Sequence, residues 1–221
     1  MKTPLTTVKS YVETLLDGAA EEAEVRARFL RVVEAETDRM TRLVKDLLHL
    51  SQLDRGSANW DIQPYEVPPL VDECLAKLAV PIERKGLVVR RSYEPGLSPA
   101  LFDRDKLQQV ILNLLANAIE FTPSKGEITV AVNGQGAMVK VTVRDSGIGI
   151  PKEDLPRIFE RFYRVDKARS RMLGGTGLGL AIARQIVELL GGVISIDSEL
   201  GKGTEVVFSI PAAPALEAEV I

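Results

Sequence analysis

Residues Ile128 to Ile150, ITVAVNGQGAMVKVTVRDSGIGI, decide how the chain is read. Ile128, Val130 and Val132 alternate with other residues, and so do Val139, Val141 and Val143, with Asn133-Gly134-Gln135-Gly136 between the two runs. Period-two apolar runs on either side of turn residues predict a β-hairpin with one buried face. The second strand runs directly into Asp145-Ser146-Gly147-Ile148-Gly149-Ile150. An aspartate at a strand end followed by two glycines can present a carboxylate to a ligand while backbone approaches closely. Asp-Ser-Gly is equally a common turn, so this motif alone is weak.

Outward from the hairpin the pattern mixes helices and strands. Leu70 to Lys85 is predicted as a helix, Leu87 to Tyr93 as a strand and Asp103 to Phe121 as a strongly apolar helix. After the hairpin come a helix over Leu178 to Leu190 and strands over Val193 to Ser198 and Thr204 to Ile210. One layer of sheet covered by one layer of helices, an α/β sandwich, accounts for this order. The first fifty-odd residues differ. Leu5, Val8, Val12, Leu15 and Leu16 recur at helical spacing up to Asp17-Gly18, and Phe29, Val33, Met40, Leu43, Leu47 and Leu50 follow on a longer run. Two narrow apolar seams predict an antiparallel helical hairpin, half of a four-helix bundle that a second copy completes. Asp54 to Pro69 has the Gly, Ser, Asn and Pro content of a linker. The expected fold class is therefore α+β, with the hairpin at 1–55, a linker at 56–66, the sandwich domain at 67–211 and a disordered tail at 212–221.

Composition sets outer limits. The 221 residues are 45% hydrophobic and 27% charged, with 17 Gly and 12 Pro, which excludes collagen-like and low-complexity chains. A net charge of −3 gives no support for broad electrostatic binding to nucleic acid. The longest charge-free stretch, Leu107 to Ile119, is too short to cross a bilayer. Cys74, the single cysteine, cannot form an internal disulfide, and a cytoplasmic location is expected.

Three further elements bear on chemistry. Gly174-Gly175-Thr176-Gly177-Leu178-Gly179-Leu180 runs straight into a helix, where unsatisfied N–H groups suit a phosphate. It lacks the Lys-Ser/Thr of a Walker loop and the preceding strand of a dinucleotide fingerprint. Asn113 and Asn117 stand four apart on the apolar helix and share a face, where a hard cation bridging to phosphate could partner them; structural amides are the bland alternative. Arg157-Ile158-Phe159-Glu160-Arg161-Phe162-Tyr163-Arg164, followed by the basic stretch Asp166 to Arg171, places arginines where they could meet a transferring phosphoryl group.

In order along the chain, Asn113-Leu-Leu-Ala-Asn117-Ala, DSGIGI, RIFERFYR and GGTGLGL strongly resemble the N, G1, F and G2 boxes of sensor histidine kinases. That family shares its ATP-binding domain with gyrase, the mismatch-repair ATPase and the heat-shock chaperone. Lys2-Thr3-Pro4-Leu5-Thr6-Thr7 is similar to the latter half of the family's phosphoacceptor box, and Asp46-Leu-Leu-His-Leu-Ser-Gln-Leu-Asp54 to the end of its second dimerisation helix. The likeness spans about Lys2 to Pro211 and is closest to the phosphate- and cell-wall-sensing subgroup.

The resemblance implies an ATP and Mg2+ site. Asp145 would accept the adenine amino group, with Gly147 and Gly149 shaping the wall and Ile150 packing nearby. Asn117 would ligate magnesium, assisted by Asn113. Phe121 and Tyr163 would flank the nucleotide, and Arg164 would reach the γ-phosphate as the catalytic residue. Gly175, Thr176, Gly177, Leu178 and Gly179 would hold the phosphates, with lid mobility in Val165 to Gly174. The implied activity is transfer of the γ-phosphoryl group to a histidine and then to an aspartate of a response-regulator receiver domain. The implied assembly is a homodimer, held to a membrane only through segments upstream.

Two departures matter. The acceptor histidine is expected three positions before Lys2, so the chain is expected to be truncated just after it and not to phosphorylate itself. His49 is expected to be a surface or seam residue. Glu120 stands where the family commonly has Lys or Arg, which predicts weaker nucleotide affinity. Two other readings stay open: an ATP-hydrolysing superfamily member, which would carry a glutamate base where this chain has Asn113, and a non-catalytic docking module for a response regulator.

Overall fold

A computed structural model describes residues 4–54, 56, 60–165 and 175–214. Helix α1 (Pro4–Thr14) and helix α2 (Ala23–Leu53) form an antiparallel hairpin. They meet through a π-helical turn, Leu15–Ala19, in which Gly18 adopts φ 109°, a conformation open to glycine. Tyr11 packs edge-on against Phe29 across the hairpin, ring centroids 4.8 Å apart. The seam is otherwise unfilled. No residue of α1 is buried, only Leu50 and Leu53 of α2 are, and Leu5, Leu16, Leu47 and Leu48 stay largely exposed.

The stretch expected as a linker at 56–66 contains a short strand, β1 (Gln63–Tyr65), which pairs antiparallel with β3 (Ala100–Phe102). Neither strand was foreseen, because three residues are too few to show a period. The helix expected over Leu70 to Lys85 is two, α3 (Val67–Lys77) and α4 (Ala79–Lys85). Pro81 has no N–H to offer the Lys77 carbonyl, so an unbroken helix would lose a bond there, and the chain breaks at Leu78.

Strand β2 (Val88–Tyr93) pairs parallel to β4 (Glu127–Gln135), with α5 (Arg104–Phe121) as the crossover that parallel pairing requires. The Asp103 side chain caps α5, accepting from the N–H groups of Asp105 (3.0 Å) and Lys106 (3.1 Å). β4 and β5 (Met138–Asp145) form the expected hairpin, but its turn is shorter than the sequence suggested. Gln135 faces Met138 directly, leaving a two-residue loop with Gly136 at φ 60°. Helix α6 (Gly179–Leu189) and strands β6 (Val193–Glu199) and β7 (Gly203–Pro211) complete a five-stranded sheet of order β2-β4-β5-β7-β6.

Alternate residues of the hairpin, Ile128, Val130, Val132, Val139, Val141 and Val143, are buried in one core with Leu107, Ile111, Leu115, Ile182 and Ile186 of α5 and α6. This is the α+β architecture expected, a helical hairpin followed by an α/β sandwich. Leu50 and Leu53 join the same core, so the end of α2 is packed into the sandwich domain. Ala212 and Ala213, expected to be frayed, are held instead: Ala212 donates to the Ala137 carbonyl (2.9 Å) and Ala213 to that of Pro99 (2.7 Å). Residues 215–221 lie outside the described residues, as do 166–174, where the lid and most of the basic stretch were expected. Among the described residues no helix is long and apolar enough to cross a membrane.

Candidate functional site

Asp145 ends β5 at the floor of a cavity of about 490 Å³, within the usual size of a small-molecule site. One carboxylate oxygen accepts the Gly147 N–H at 2.8 Å. Burial pushes the Asp145 pKa up, opposed in part by backbone N–H groups of Gly147 and Thr204. A half-buried acceptor held by backbone in an otherwise apolar wall is suited to a neutral N–H donor. The wall around it is Val143, Ile148, Ile150, Ile158, Ile196 and Val206.

The glycine turn after Asp145 is clamped from both sides. Ile148 donates to the Phe121 carbonyl (3.2 Å), Ile150 to the Ser198 hydroxyl (2.9 Å), and the Gly201 N–H to the Ile148 carbonyl (2.7 Å). Gly149 has φ 69°, and a Cβ there would run into the Glu199 carbonyl, so glycine is required. Gly147 does not line the cavity. A Cβ at that position would lie 2.7 Å from the Phe121 carbonyl oxygen, so its role is close packing behind the wall.

Asn113, Asn117, Glu120 and Phe121 project from successive turns of α5 into the cavity. The end of that helix is fixed by Lys85, whose ammonium donates to the carbonyls of Ile119 (2.6 Å), Glu120 (2.7 Å) and Thr122 (3.0 Å). Asn113 donates to the Gly179 carbonyl at 3.1 Å and so ties α5 to the start of α6. Burial raises the Glu120 pKa, against the pull of Arg164, Lys85 and Arg42. Among the described residues no group of three or more His, Cys, Asp and Glu is placed to hold a metal ion. The oxygen donors present, Asn113, Asn117 and Glu120, fit a magnesium ion ligated mainly by phosphate oxygens and water.

The opposite wall is Tyr163, Arg164, Gly175, Thr176, Gly177, Gly179 and Leu180. Tyr163 donates its hydroxyl to Asp154 and lies under the Arg157 guanidinium, 4.3 Å from ring centroid to Cζ. Phe162 is held at φ 65°, a strained conformation for an aromatic residue, by its N–H bond to the Gly177 carbonyl at 2.9 Å. The Thr176 hydroxyl accepts from the Leu178 N–H at 3.3 Å at the start of α6. Leu178, expected among the phosphate contacts, is fully buried beneath the loop and does not line the cavity. Of the fourteen residues singled out from sequence, the structure gathers twelve around one cavity and leaves Gly147 and Leu178 behind its walls.

Beyond the apolar wall, two charged lining residues were not foreseen, Arg42 and Asp46 of α2. They sit one helical turn apart and reach the cavity only because the hairpin folds back on the sandwich domain. Asp54 at the end of α2 accepts from Arg161 (2.6 and 3.1 Å) and Gln185 (2.9 Å), and His49 is hydrogen-bonded to Gln109 at 2.8 Å. His49 is thus partly buried against α5 of the sandwich domain, and not in the seam between α1 and α2.

Residues 102–214 match the model of the histidine kinase-, DNA gyrase B- and HSP90-like ATPases, and residues 1–56 that of the His Kinase A (phospho-acceptor) domain. The chain belongs to the histidine kinase branch of this ATPase family. It is 41% identical over 213 residues to the sensor histidine kinase WalK of Bacillus subtilis (strain 168), covering 96% of this chain and 35% of that protein. The chain therefore spans about a third of the length of that relative. Full-length ShkA, solved in complex with AMPPNP, superposes with a TM-score of 0.72 at 28% identity, over 87% of this chain and 40% of that one. Histidine kinase ThkA, solved in complex with response regulator protein TrrA, has the same fold, with a TM-score of 0.78 at 24% identity over 96% of this chain and 58% of that one. Both domains are present in this chain, the phospho-acceptor domain first and the ATPase domain after it.

Proposed function

We propose that this chain is the ATP-binding and dimerisation region of a sensor histidine kinase, moving the γ-phosphoryl group of ATP to a histidine and onward to an aspartate of a response-regulator receiver domain. The observation that carries the reading is the cavity itself. An apolar slot closed by Asp145 opens towards Asn117, Arg164 and a glycine-flanked loop at the N-terminus of α6. Adenine fits the slot, donating its amino group to Asp145 between Phe121, Ile150 and Tyr163. The triphosphate then runs to Gly175, Thr176, Gly177 and the open N–H groups of α6. Asn117 and Asn113 would hold a magnesium ion through their amide oxygens, and the ion would supply charge neutralisation at the phosphates. Arg164 holds the terminal phosphate in line, and in the transfer the bond from the γ-phosphorus to its bridging oxygen breaks as a bond to the acceptor nitrogen forms, leaving ADP.

Asn113 bears against an ATPase reading. Its amide N–H is given to the Gly179 carbonyl, and it has no carboxylate to take a proton from water. The position of His49 bears against it as the acceptor: it lies near the end of α2, with Nδ1 bonded to Gln109 of α5. The unfilled apolar seam of α1 and α2 supports a homodimer through the hairpin. Because the chain covers 35% of the WalK relative, the reading extends to a longer parent, with a membrane anchor placed outside this chain.

The test supplies labelled ATP together with a separate acceptor-bearing histidine hairpin. Label is expected to move to the hairpin and then to a receiver domain. No transfer in trans, with regulator binding intact, contradicts the kinase assignment in favour of a docking module.

A further inference from the structure

The phosphate end of the cavity is built partly from the hairpin. Asp46 accepts the Thr176 hydroxyl proton at 2.7 Å, and the same hydroxyl oxygen accepts the Leu178 N–H at 3.3 Å. A hydroxyl has one proton to give. Thr176 can therefore donate to Asp46 or to a phosphate oxygen, and a carboxylate at that position repels the phosphate in addition. Arg42, one turn earlier on α2, also faces Glu120 across the cavity and, among the described residues, makes no ion pair with Asp46. The contact is anchored: Leu50 and Leu53 are packed in the core, and Asp54 is bonded to Arg161 and Gln185. Asp46 is thus presented to the loop by a helix that is itself fixed.

We propose that Asp46 is a specificity determinant of the nucleotide site, competing with the phosphate tail for Thr176 so that binding is penalised in proportion to phosphate charge. This deepens the reading of the cavity as an ATP site and rests on it. By linkage, a triphosphate that displaces Asp46 weakens the hold of the catalytic domain on α2 by the same factor. ADP, with less charge near the loop, leaves the helix more firmly held. Nucleotide state then sets how freely the domain leaves its own hairpin.

The test compares the whole chain with Asp46→Asn, which keeps the size and a hydrogen-bonding oxygen but removes the charge. Adenosine, ADP and a non-hydrolysable ATP analogue are titrated into each protein with magnesium. Asp46→Asn is expected to tighten the analogue by about five- to tenfold, ADP by less, and adenosine not at all. Unchanged adenosine binding also reports an intact pocket. Equal affinities of the two proteins for the analogue, or weaker binding by Asp46→Asn, overturn the competition while leaving the nucleotide site standing. Failure of all three ligands to bind either protein removes the site reading, and this inference with it.

Discussion

Asp145 shows what a single residue is asked to do. Its carboxyl pKa is raised by burial above the ordinary carboxylate value. The ionised form is thus less favourable in the folded chain than in the unfolded one, and the contribution to stability present at low pH is lost as pH rises through the folded-state value. Asp145→Asn is therefore expected to leave thermal stability at pH 7 unchanged or raised. The same substitution is expected to weaken a magnesium–ATP analogue roughly ten- to a hundredfold, the worth of one hydrogen bond to a charged acceptor, as calorimetry would read it. A fall in both stability and affinity would mean that the residue is structural. Glu120 is the second test at this scale. Placed among Arg42, Lys85 and Arg164, its charge is partly offset, yet it remains a carboxylate at the phosphate end. Glu120→Lys is expected to tighten the analogue by about three- to tenfold, and an unchanged dissociation constant would remove Glu120 from the account of affinity.

Among the elements, α5 carries most of the site, and its last turn depends on a residue from another helix. Lys85 of α4 satisfies three carbonyls that the helix end leaves open. Lys85→Met is expected to cost about 2 kcal/mol in urea unfolding, since hydrogen bonds to charged groups are worth about 1.5–3 kcal/mol and this one is partly solvated. A change below about 0.5 kcal/mol would show that water replaces the ammonium without loss. Elements with a clear period were legible in the sequence: the alternating hairpin, α2 and α5. What escaped had no period to read. β1 and β3 span three residues each, and the break at Leu78 came from one proline inside an apolar run. Glycine motifs named the right loops but not each residue's part. Gly147 and Leu178 sit behind the walls because packing, not ligand contact, selects them.

Across the whole molecule the hairpin and the sandwich domain share a boundary, and that boundary is where sequence reading gave least. Arg42 and Asp46 fall in the expected helix, but which side of it faces the cavity depends on how α2 docks, a long-range fact with no local signature. The other face of the hairpin remains apolar, with Leu16 81% and Leu48 58% exposed. A patch of this kind marks an interface, and a second hairpin is the occupant expected. Leu48→Glu should shift light-scattering mass at micromolar concentration from two chains to one, while a wild-type chain that is already a monomer would defeat the dimer.

The claim beneath all of this is that the cavity at Asp145 binds ATP through both its purine and, with magnesium, its phosphates. Calorimetric titration of the chain with a non-hydrolysable ATP analogue, with magnesium and after its removal by chelation, tests it most directly. The account predicts saturable binding of one nucleotide per chain that weakens when magnesium is withdrawn. Absence of binding, or an affinity indifferent to magnesium, would contradict it.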